Sequence, residues 1–122
     1  MKEILNTFKE NIKSIDGFLG VSVTEIETGV AYDSAAVNGF EPELASAYNL
    51  EVVKAKLNAI KALNLKESIE DITITLGKQV HIINVAPSGS YFTYLAIDSE
   101  KANLGIAKSL LNKYKKELYS AL

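Results

Sequence analysis

The sequence of 122 residues contains no cysteine, which excludes disulfides, thiolate zinc sites and thiol nucleophiles. It also contains no arginine, and all thirteen of its basic residues are lysines. Arginine is the residue that proteins use for bidentate recognition of phosphate, so a phosphate clamp of that kind is excluded as well. No apolar run approaches the roughly 20 residues that a membrane-spanning helix needs. Met1–Leu5 includes an early acid and differs from a signal peptide, so the sequence predicts a soluble, cytoplasmic protein.

The composition is typical of one globular domain spanning residues 1–122. Hydrophobic residues make up 48% of the chain and charged residues 23%, as in ordinary folded proteins. The net charge of −2 gives no reason to expect nucleic-acid binding. Residues 1–50 hold three lysines and eight acids, whereas residues 51–122 hold ten lysines and seven acids. The acidic residues of the first half either are ordinary solvated surface residues or form an acidic cluster whose electric field helps a partner of complementary charge to dock. They include Glu25, Glu27, Asp33, Glu41 and Glu43.

The first 40 residues predict a helix followed by a β-hairpin. An apolar stripe with spacings of three and four is typical of a helix with one buried face, and Asp16-Gly17 is predicted to end it. The stripe consists of Leu5, Phe8, Ile12 and Ile15. Alternating apolar and polar residues predict a strand over 20–26 and, after a turn at 27–29, a return strand over 30–33. Residues 34–40 are predicted to form a loop.

A long helix is predicted from Pro42 to about Leu63. Proline suits a first helical turn, and an apolar stripe continues through the segment at helical spacing. That stripe consists of Leu50, Val53, Leu57 and Ile60. At about 1.5 Å per residue the helix is roughly 30 Å long, and its several alanines leave room for close contact with another helix. The stripe therefore serves either the core alone or the core and a contact between subunits.

The second half predicts three strands and a final helix. The strands cover Ile72–Leu76, Val80–Ala86 and Tyr91–Ile97, and the short links between them make the sheet antiparallel. Asp98 or Ser99 is predicted to cap a last helix that ends near Leu118. Gly105 is predicted to lie inside this helix, where it would let another backbone come close. The element order is α-β-β-α-β-β-β-α, an α+β fold with a five-stranded antiparallel sheet.

Residues with the chemistry of a catalytic site are few. His81 is the only histidine, and it lies on a predicted strand between Val80 and Ile82. A hydrogen-bonded structural role suits it better than a role as base or metal ligand. A triple of Ser22, His81 and Asp33 can be drawn, but no Gly-x-Ser-x-Gly motif supports it. No phosphate-binding glycine motif occurs either. The sequence predicts no catalytic, cofactor or metal site, and hence no enzyme.

Four stretches resemble the roadblock/dynein light chain family, and together they extend from Leu5 to Leu118. They are Gly20-Val21-Ser22-Val23 with the turn at Gly29, the alanine-rich helix after Glu43, Ile72-Thr73-Ile74 before an apolar strand, and Ala102-Asn103-Leu104-Gly105-Ile106-Ala107. The last stretch is the most specific. Lys108 departs from the pattern, because many relatives carry arginine after this motif.

The resemblance implies a profilin-like α/β/α sandwich, with the long helix on one face of the sheet and the terminal helices on the other. It also implies a homodimer in which the long helices pack together and the 72–76 strand pairs with its copy. The dimer interface residues expected on this basis are Leu50, Val53, Leu57, Ile60, Ile72, Thr73, Ile74 and Thr75.

Three hypotheses on function remain open at this point. The resemblance implies a noncatalytic regulator or scaffold that holds a small Ras-like GTPase. A scaffold subunit of a larger assembly without a GTPase is a second possibility. The third is a module that senses a small molecule, with a pocket lined by Ser22, Thr24 and His81. The sequence does not identify the partner, distinguish a homodimer from a heterodimer, or show whether hydrolysis is stimulated.

Overall fold

The structure is a computed structural model that describes residues 2–122. These residues form three helices and five strands in the predicted order. In chain order the elements are α1 (Lys2–Lys13), β1 (Phe18–Glu25), β2 (Ala31–Ala36), α2 (Pro42–Ala62), β3 (Asp71–Thr75), β4 (Gln79–Val85), β5 (Tyr91–Asp98) and α3 (Leu104–Ala121). None of the helices within 2–122 combines the length and the hydrophobicity that crossing a bilayer requires.

The strands form one sheet in the order β2-β1-β5-β4-β3. Every neighbouring pair is antiparallel, which confirms the prediction from the short links. β5 lies in the middle, and its residues 91–97 are all buried. β2 and β3 are the two edges, so each presents backbone N–H and C=O groups that no strand within 2–122 pairs.

The helices cover both faces of the sheet in the predicted arrangement. α1 and α3 pack together on one face, where side chains of alternate sheet residues such as Val21, Val23, Ile82 and Leu95 join their apolar stripes. α2 lies on the other face, and its Leu50 and Val53 pack with Ile83, Phe92 and Tyr94. The sheet thus separates two hydrophobic clusters, which is the α/β/α sandwich that the resemblance implies.

The boundaries of α1 and α2 follow from their end residues. α2 begins at Pro42 and ends at Ala62, and Asn64 then takes a left-handed φ of 54° that stops the helix. α1 ends at Lys13, slightly before the predicted stop at Asp16-Gly17. Gly17 has a φ of 84°, and a side chain there would meet the backbone of Ala102 and Asp98 at 3.0 Å. Glycine is therefore required in the connection between α1 and β1, where the chain passes the turn before α3.

The prediction of a loop over residues 34–40 is wrong for its first three residues. β2 continues to Ala36, because Ser34, Ala35 and Ala36 pair in register with Ser22, Val21 and Gly20. Serine and alanine have low strand propensity, so the local sequence gives no sign of this strand. Its pairing with β1 outweighs the local preference.

The prediction of the α3 cap is also wrong. The N-cap is Asn103, whose Oδ1 accepts a hydrogen bond from the backbone N–H of Ile106 at 3.0 Å. Asp98 instead closes the preceding turn, where its Oδ1 accepts the N–H of Glu100 at 2.9 Å. Gly105 consequently lies in the first turn, and a side chain there would meet only the Asn103 Oδ1, at 3.3 Å. No other backbone of the described chain approaches it.

We expect Asn103→Ala to lower the free energy of unfolding by about 1 kcal/mol, because the substitution leaves the first turn of α3 without its side-chain acceptor. Ser99→Ala is the matched control, because the Ser99 hydroxyl makes no hydrogen bond with the described residues. Urea unfolding followed by circular dichroism measures both variants. Equal losses of stability in the two variants would show that Asn103 is not the cap.

Candidate interaction surface

The long helix α2 is apolar on two opposite sides. One side faces the sheet and includes the buried Leu50 and Val53. At about 100° per residue, a second set of apolar positions falls within an arc of about 80° on the opposite side. This set, which we call the outer stripe, comprises Leu44, Tyr48, Val52, Ala55 and Ala59. Tyr48 is 74% exposed and Val52 is 36% exposed, so the outer stripe has no partner within the described chain.

The structure distributes the α2 residues of the predicted interface between the core and the surface. Leu50 and Val53 are buried in the protomer, where they contact the sheet. Leu57 and Ile60 are half-buried, and Leu57 packs against the same cluster. Residues of the outer stripe were given no place in the predicted interface. Their signal in the sequence is the run Leu44, Tyr48, Val52 at spacings of four, which marks a second apolar side.

β3 supplies the other four residues of the predicted interface. Ile72, Thr73 and Ile74 are half-buried, and Thr75 is exposed. Ile72 and Ile74 pair with Ile83 and His81 on the face that carries α2. α2 lies nearest to β1 and β2 and reaches β5 and β4 through Leu50 and Val53, so β3 is the strand of this face that the helix covers least.

The register of β3 shows which of its backbone groups face the open edge. The Leu76 N–H donates to the Gln79 carbonyl at 2.8 Å, which makes this a hydrogen-bonded pair. Hydrogen-bonded pairs alternate along an antiparallel ladder, so residues 74 and 72 direct their backbone groups toward β4. The N–H and C=O groups of Asp71, Thr73 and Thr75 therefore point away from the sheet. No side chain of the described residues hydrogen-bonds the N–H groups of these three residues.

A polar network lies on the α3 side of this edge. The Thr73 hydroxyl donates to the Asp71 carboxylate at 2.7 Å, and the Lys108 ammonium lies 3.1 Å from the same carboxylate. The hydrogen bond from Thr73, with a smaller contribution from Lys108, lowers the pKa of the Asp71 carboxyl. Lys108, the position that departs from the family pattern, thus ties α3 to the start of β3. This contact holds the edge in place without covering it.

The structure does not bring together the triple of Ser22, His81 and Asp33. Ser22 and His81 lie on the α2 face, whereas Asp33 pairs with Val23 and reaches Lys9 of α1 on the opposite face. His81 Nε2 hydrogen-bonds Gln79 Oε1 at 2.8 Å, and burial lowers the pKa of its imidazole. Within residues 2–122, no three carboxylates or histidines cluster as metal ligands do.

The residues suggested for a small-molecule pocket are packed in the core. Ser22 and Thr24 are buried, and the Ser22 hydroxyl hydrogen-bonds the Ser46 hydroxyl of α2. Tyr94 lies beside Ser22 on the neighbouring strand and stacks edge-on against His81, with ring centroids 5.4 Å apart. Burial raises the pKa of the Tyr94 hydroxyl to about 12. An aromatic ring thus occupies the space between Ser22 and His81.

The acidic residues of the first half do not share one surface. Asp33 is paired with Lys9 on the α1 side, whereas Glu41 and Glu43 flank the start of α2 on the other face. Glu25 accepts hydrogen bonds from Thr28 and Tyr32 at the end of β1. A single acidic docking field is therefore absent from the described residues, and the two acids beside α2 remain next to the outer stripe.

Solved structures with the same fold support the family resemblance, although neither a protein-family profile nor a curated protein sequence matches this chain. MglB from Myxococcus xanthus superposes with a TM-score of 0.83 at 14% identity, over 99% of this chain and 95% of that chain. A Roadblock/LC7 domain from Streptomyces avermitilis gives a TM-score of 0.79 at 8% identity, over 94% of each chain. The gliding protein MglB from Thermus thermophilus gives 0.69 at 13% identity, over 94% of this chain and 90% of that chain. The chain thus has the Roadblock/LC7 fold, as the sequence resemblance predicted.

We expect Val53→Glu to destabilise the fold strongly and Val52→Glu, one residue away on α2, to leave it intact. The Val53 side chain is fully buried, so a glutamate there would be an unpaired buried charge that costs several kcal/mol and removes most of the stability of the fold. Val52 faces outward, and its substitution is expected to leave the folded protomer intact. Circular dichroism and thermal unfolding at low protein concentration separate the two. Loss of the fold in both variants would contradict the division of α2 into two sides.

Proposed function

We propose that this chain is a noncatalytic, cytoplasmic protein that forms a homodimer and holds a small Ras-like GTPase or, failing that, the subunits of a larger assembly. The observation that carries the proposal is the combination, on one protomer, of an apolar outer stripe on α2 and an open backbone edge at β3. The Roadblock/LC7 fold and the family resemblance support the choice of a GTPase as partner.

The incomplete cover of one face of the sheet by a single helix supports a dimer. A helix is about 10–12 Å wide and neighbouring strands are about 4.8 Å apart, so one helix covers roughly two strands. α1 and α3 share their face and contact β1, β2 and β4, whereas α2 is the only helix on the other face: it lies nearest to β1 and β2, and its Leu50 and Val53 reach β5 and β4. A second α2, supplied by another copy beside β3, would complete the cover over Ile72 and Ile74. The outer stripe would then be buried between two helices, and its alanines would allow them to approach closely.

The open edge at β3 supports a specific register. Two copies related by a twofold axis make the most backbone hydrogen bonds if the axis passes through Thr73, because Asp71, Thr73 and Thr75 all point outward. Thr73 would then face Thr73 of the partner subunit, and Asp71 would face Thr75 of the partner subunit. Ile72 would lie opposite Ile74 of the partner subunit on the α2 face. Such cross-strand apolar pairs stabilise a sheet by roughly 0.2–1 kcal/mol each.

The register predicts a disulfide in the variant Thr73→Cys. Residues that face each other in a hydrogen-bonded antiparallel pair have Cα atoms about 5.5 Å apart, which a disulfide can span. The natural chain has no cysteine, so no other thiol competes. Thr75→Cys is the matched control, because its two copies would be offset by about 13 Å along the strands. Non-reducing gel electrophoresis after mild oxidation measures both variants.

Each other outcome of this experiment is informative. Cross-linking of Thr75→Cys alone would show that β3 pairs in a different register. If sedimentation detects a dimer and neither variant cross-links, the dimer does not form through β3 in a register centred on Thr73 or Thr75. A chain that sediments as a monomer at micromolar concentration would contradict the dimer altogether.

The way in which this chain would act on a GTPase has to be compatible with its lack of arginine. The chain has no arginine to insert into a GTPase site, so it would act by preferring one conformation of the GTPase switch regions. Such a preference needs only contacts that differ between the two nucleotide states. We therefore expect binding to depend on the nucleotide.

The test is a pull-down from lysate of the source organism with the purified protein, in the presence of either GDP or a nonhydrolysable GTP analogue. We expect a small GTPase, identified by mass spectrometry, to be enriched in one of the two samples. Val52→Glu is the control, because it alters the outer stripe and keeps the fold. Recovery of large subunits without a GTPase would favour the scaffold, and no partner in either sample would contradict the regulatory role.

A further inference from the structure

The second edge of the sheet, β2, differs from β3 although both lack a neighbouring strand. The Val37 N–H donates to the Leu19 carbonyl at 2.9 Å, so residues 35 and 33 belong to hydrogen-bonded pairs with β1. The backbone groups of Ser34 and Ala36 therefore point away from the sheet. In a dimer joined at β3, this edge would lie at both ends of the extended sheet.

The side chains of this edge offer little resistance to another strand. Ser34, Ala35 and Ala36 are small and uncharged. Two exposed apolar residues flank β2: Val30 directly before it is 62% exposed, and Val37 directly after it is 41% exposed. An edge with small and apolar residues invites pairing with another chain, and natural proteins normally carry a feature that prevents it.

Asp33 and Lys9 provide such a feature. Asp33 Oδ1 accepts a hydrogen bond from the Ser34 N–H at 2.9 Å, and that N–H is one of the two that point outward. The Lys9 ammonium of α1 lies 3.2 Å from Asp33 Oδ2 and 3.4 Å from Oδ1. The carboxylate thus occupies the donor that an incoming strand would need, and α1 holds the carboxylate in position. Among the described residues, β3 has no corresponding contact.

A bulge adjoins this contact. The β1–β2 register shifts between Val23 and Thr24, which leaves Tyr32 as an extra residue between Ala31 and Asp33. The Tyr32 hydroxyl donates to Glu25 at 3.1 Å, which anchors the bulge. A bulge ends regular pairing, so only the stretch from Ser34 to Ala36 is straight enough to accept a strand. The Lys9–Asp33 pair lies directly at the beginning of that stretch.

We propose that the Lys9–Asp33 pair closes the β2 edge to strand pairing, and that the strand it excludes is β2 of a second copy. Self-pairing fits the edge because a twofold axis through Ala35 would place Ser34 opposite Ala36 of the partner subunit, satisfying every outward group of the short stretch. This proposal goes beyond the proposed function and does not depend on the β3 dimer. If the chain dimerises through β3 as proposed above, the pair also explains why the β2 edge takes no part.

Asp33→Ala tests the proposal, with Ala35→Cys added as a reporter. The pair is partly buried, with 25% of the Lys9 side chain and 29% of the Asp33 side chain exposed, so the substitution is expected to lower stability without unfolding the protomer while it frees the Ser34 N–H. In the variant with both substitutions, mild oxidation should give a disulfide between two copies, because Cα atoms in a non-hydrogen-bonded pair are about 4.5 Å apart. Ala35→Cys alone should cross-link at least tenfold less. Analytical ultracentrifugation should show masses above that of the natural protein for Asp33→Ala.

Two further variants separate the contributions. Glu10→Ala removes the Glu10–Lys13 pair, another 3.2 Å ion pair of α1, and should not change association. Asp33→Asn keeps an oxygen that can accept the Ser34 N–H and loses the attraction to Lys9, so its association should fall between those of the natural protein and Asp33→Ala.

The same measurement in a Val52→Glu background separates this proposal from the dimer at β3. There, Asp33→Ala should convert monomers into β2-linked dimers even if the natural protein never dimerises through β3. If Asp33→Ala keeps its circular dichroism spectrum but neither gains mass nor cross-links at Ala35→Cys, the Lys9–Asp33 pair does not close the edge. Larger species without the Ala35→Cys disulfide would show that the occupant is not β2 of a second copy.

Discussion

The burial of β5 on both faces is the constraint on which the rest of the structure depends. Because residues 91–97 are all buried, helices must cover both sides of the sheet. α1 and α3 share one side, and α2 occupies the other. The uneven number of helices leaves one face less covered near β3. The shape of the protomer therefore points to the candidate interaction surface more directly than any single residue does.

Much of the fold follows from hydrophobic periodicity in the sequence. The stripe of α1, the alternation in β1 and the apolar run of β4 each predict their element, because in each case one buried surface determines which residues are apolar. The second half of β2 fails this test, since Ser34, Ala35 and Ala36 carry no strand signal and pair only because β1 lies beside them. The cap of α3 fails as well. Asp98, Ser99 and Asn103 are all good caps, and only the path of the turn shows which one reaches the helix.

The interaction surface could be predicted in part. The edge position of β3 was expected, whereas the direction of its backbone groups depends on the register with β4, which the sequence does not show. On α2, most of the residues that face the sheet are apolar, as are those of the outer stripe. Periodicity alone therefore cannot assign Val52 and Val53 to their sides, although one is fully buried and the other exposed. The placement of the helix on the sheet, with Val53 packed in the cluster that contains Ile83 and Phe92, settles that assignment.

The position of α2 in the chain explains its length and limits how it can change. α2 connects β2 with β3, the two opposite edges, so the chain must cross the full width of the sheet, about 19 Å, in this segment. A deletion of one residue would rotate everything after it by about 100° and turn Leu57 away from the sheet. Insertions and deletions should therefore be tolerated after Leu63, in residues 64–70 between α2 and β3, and not within the helix. In evolutionary terms, this helix can change its sequence but not its length.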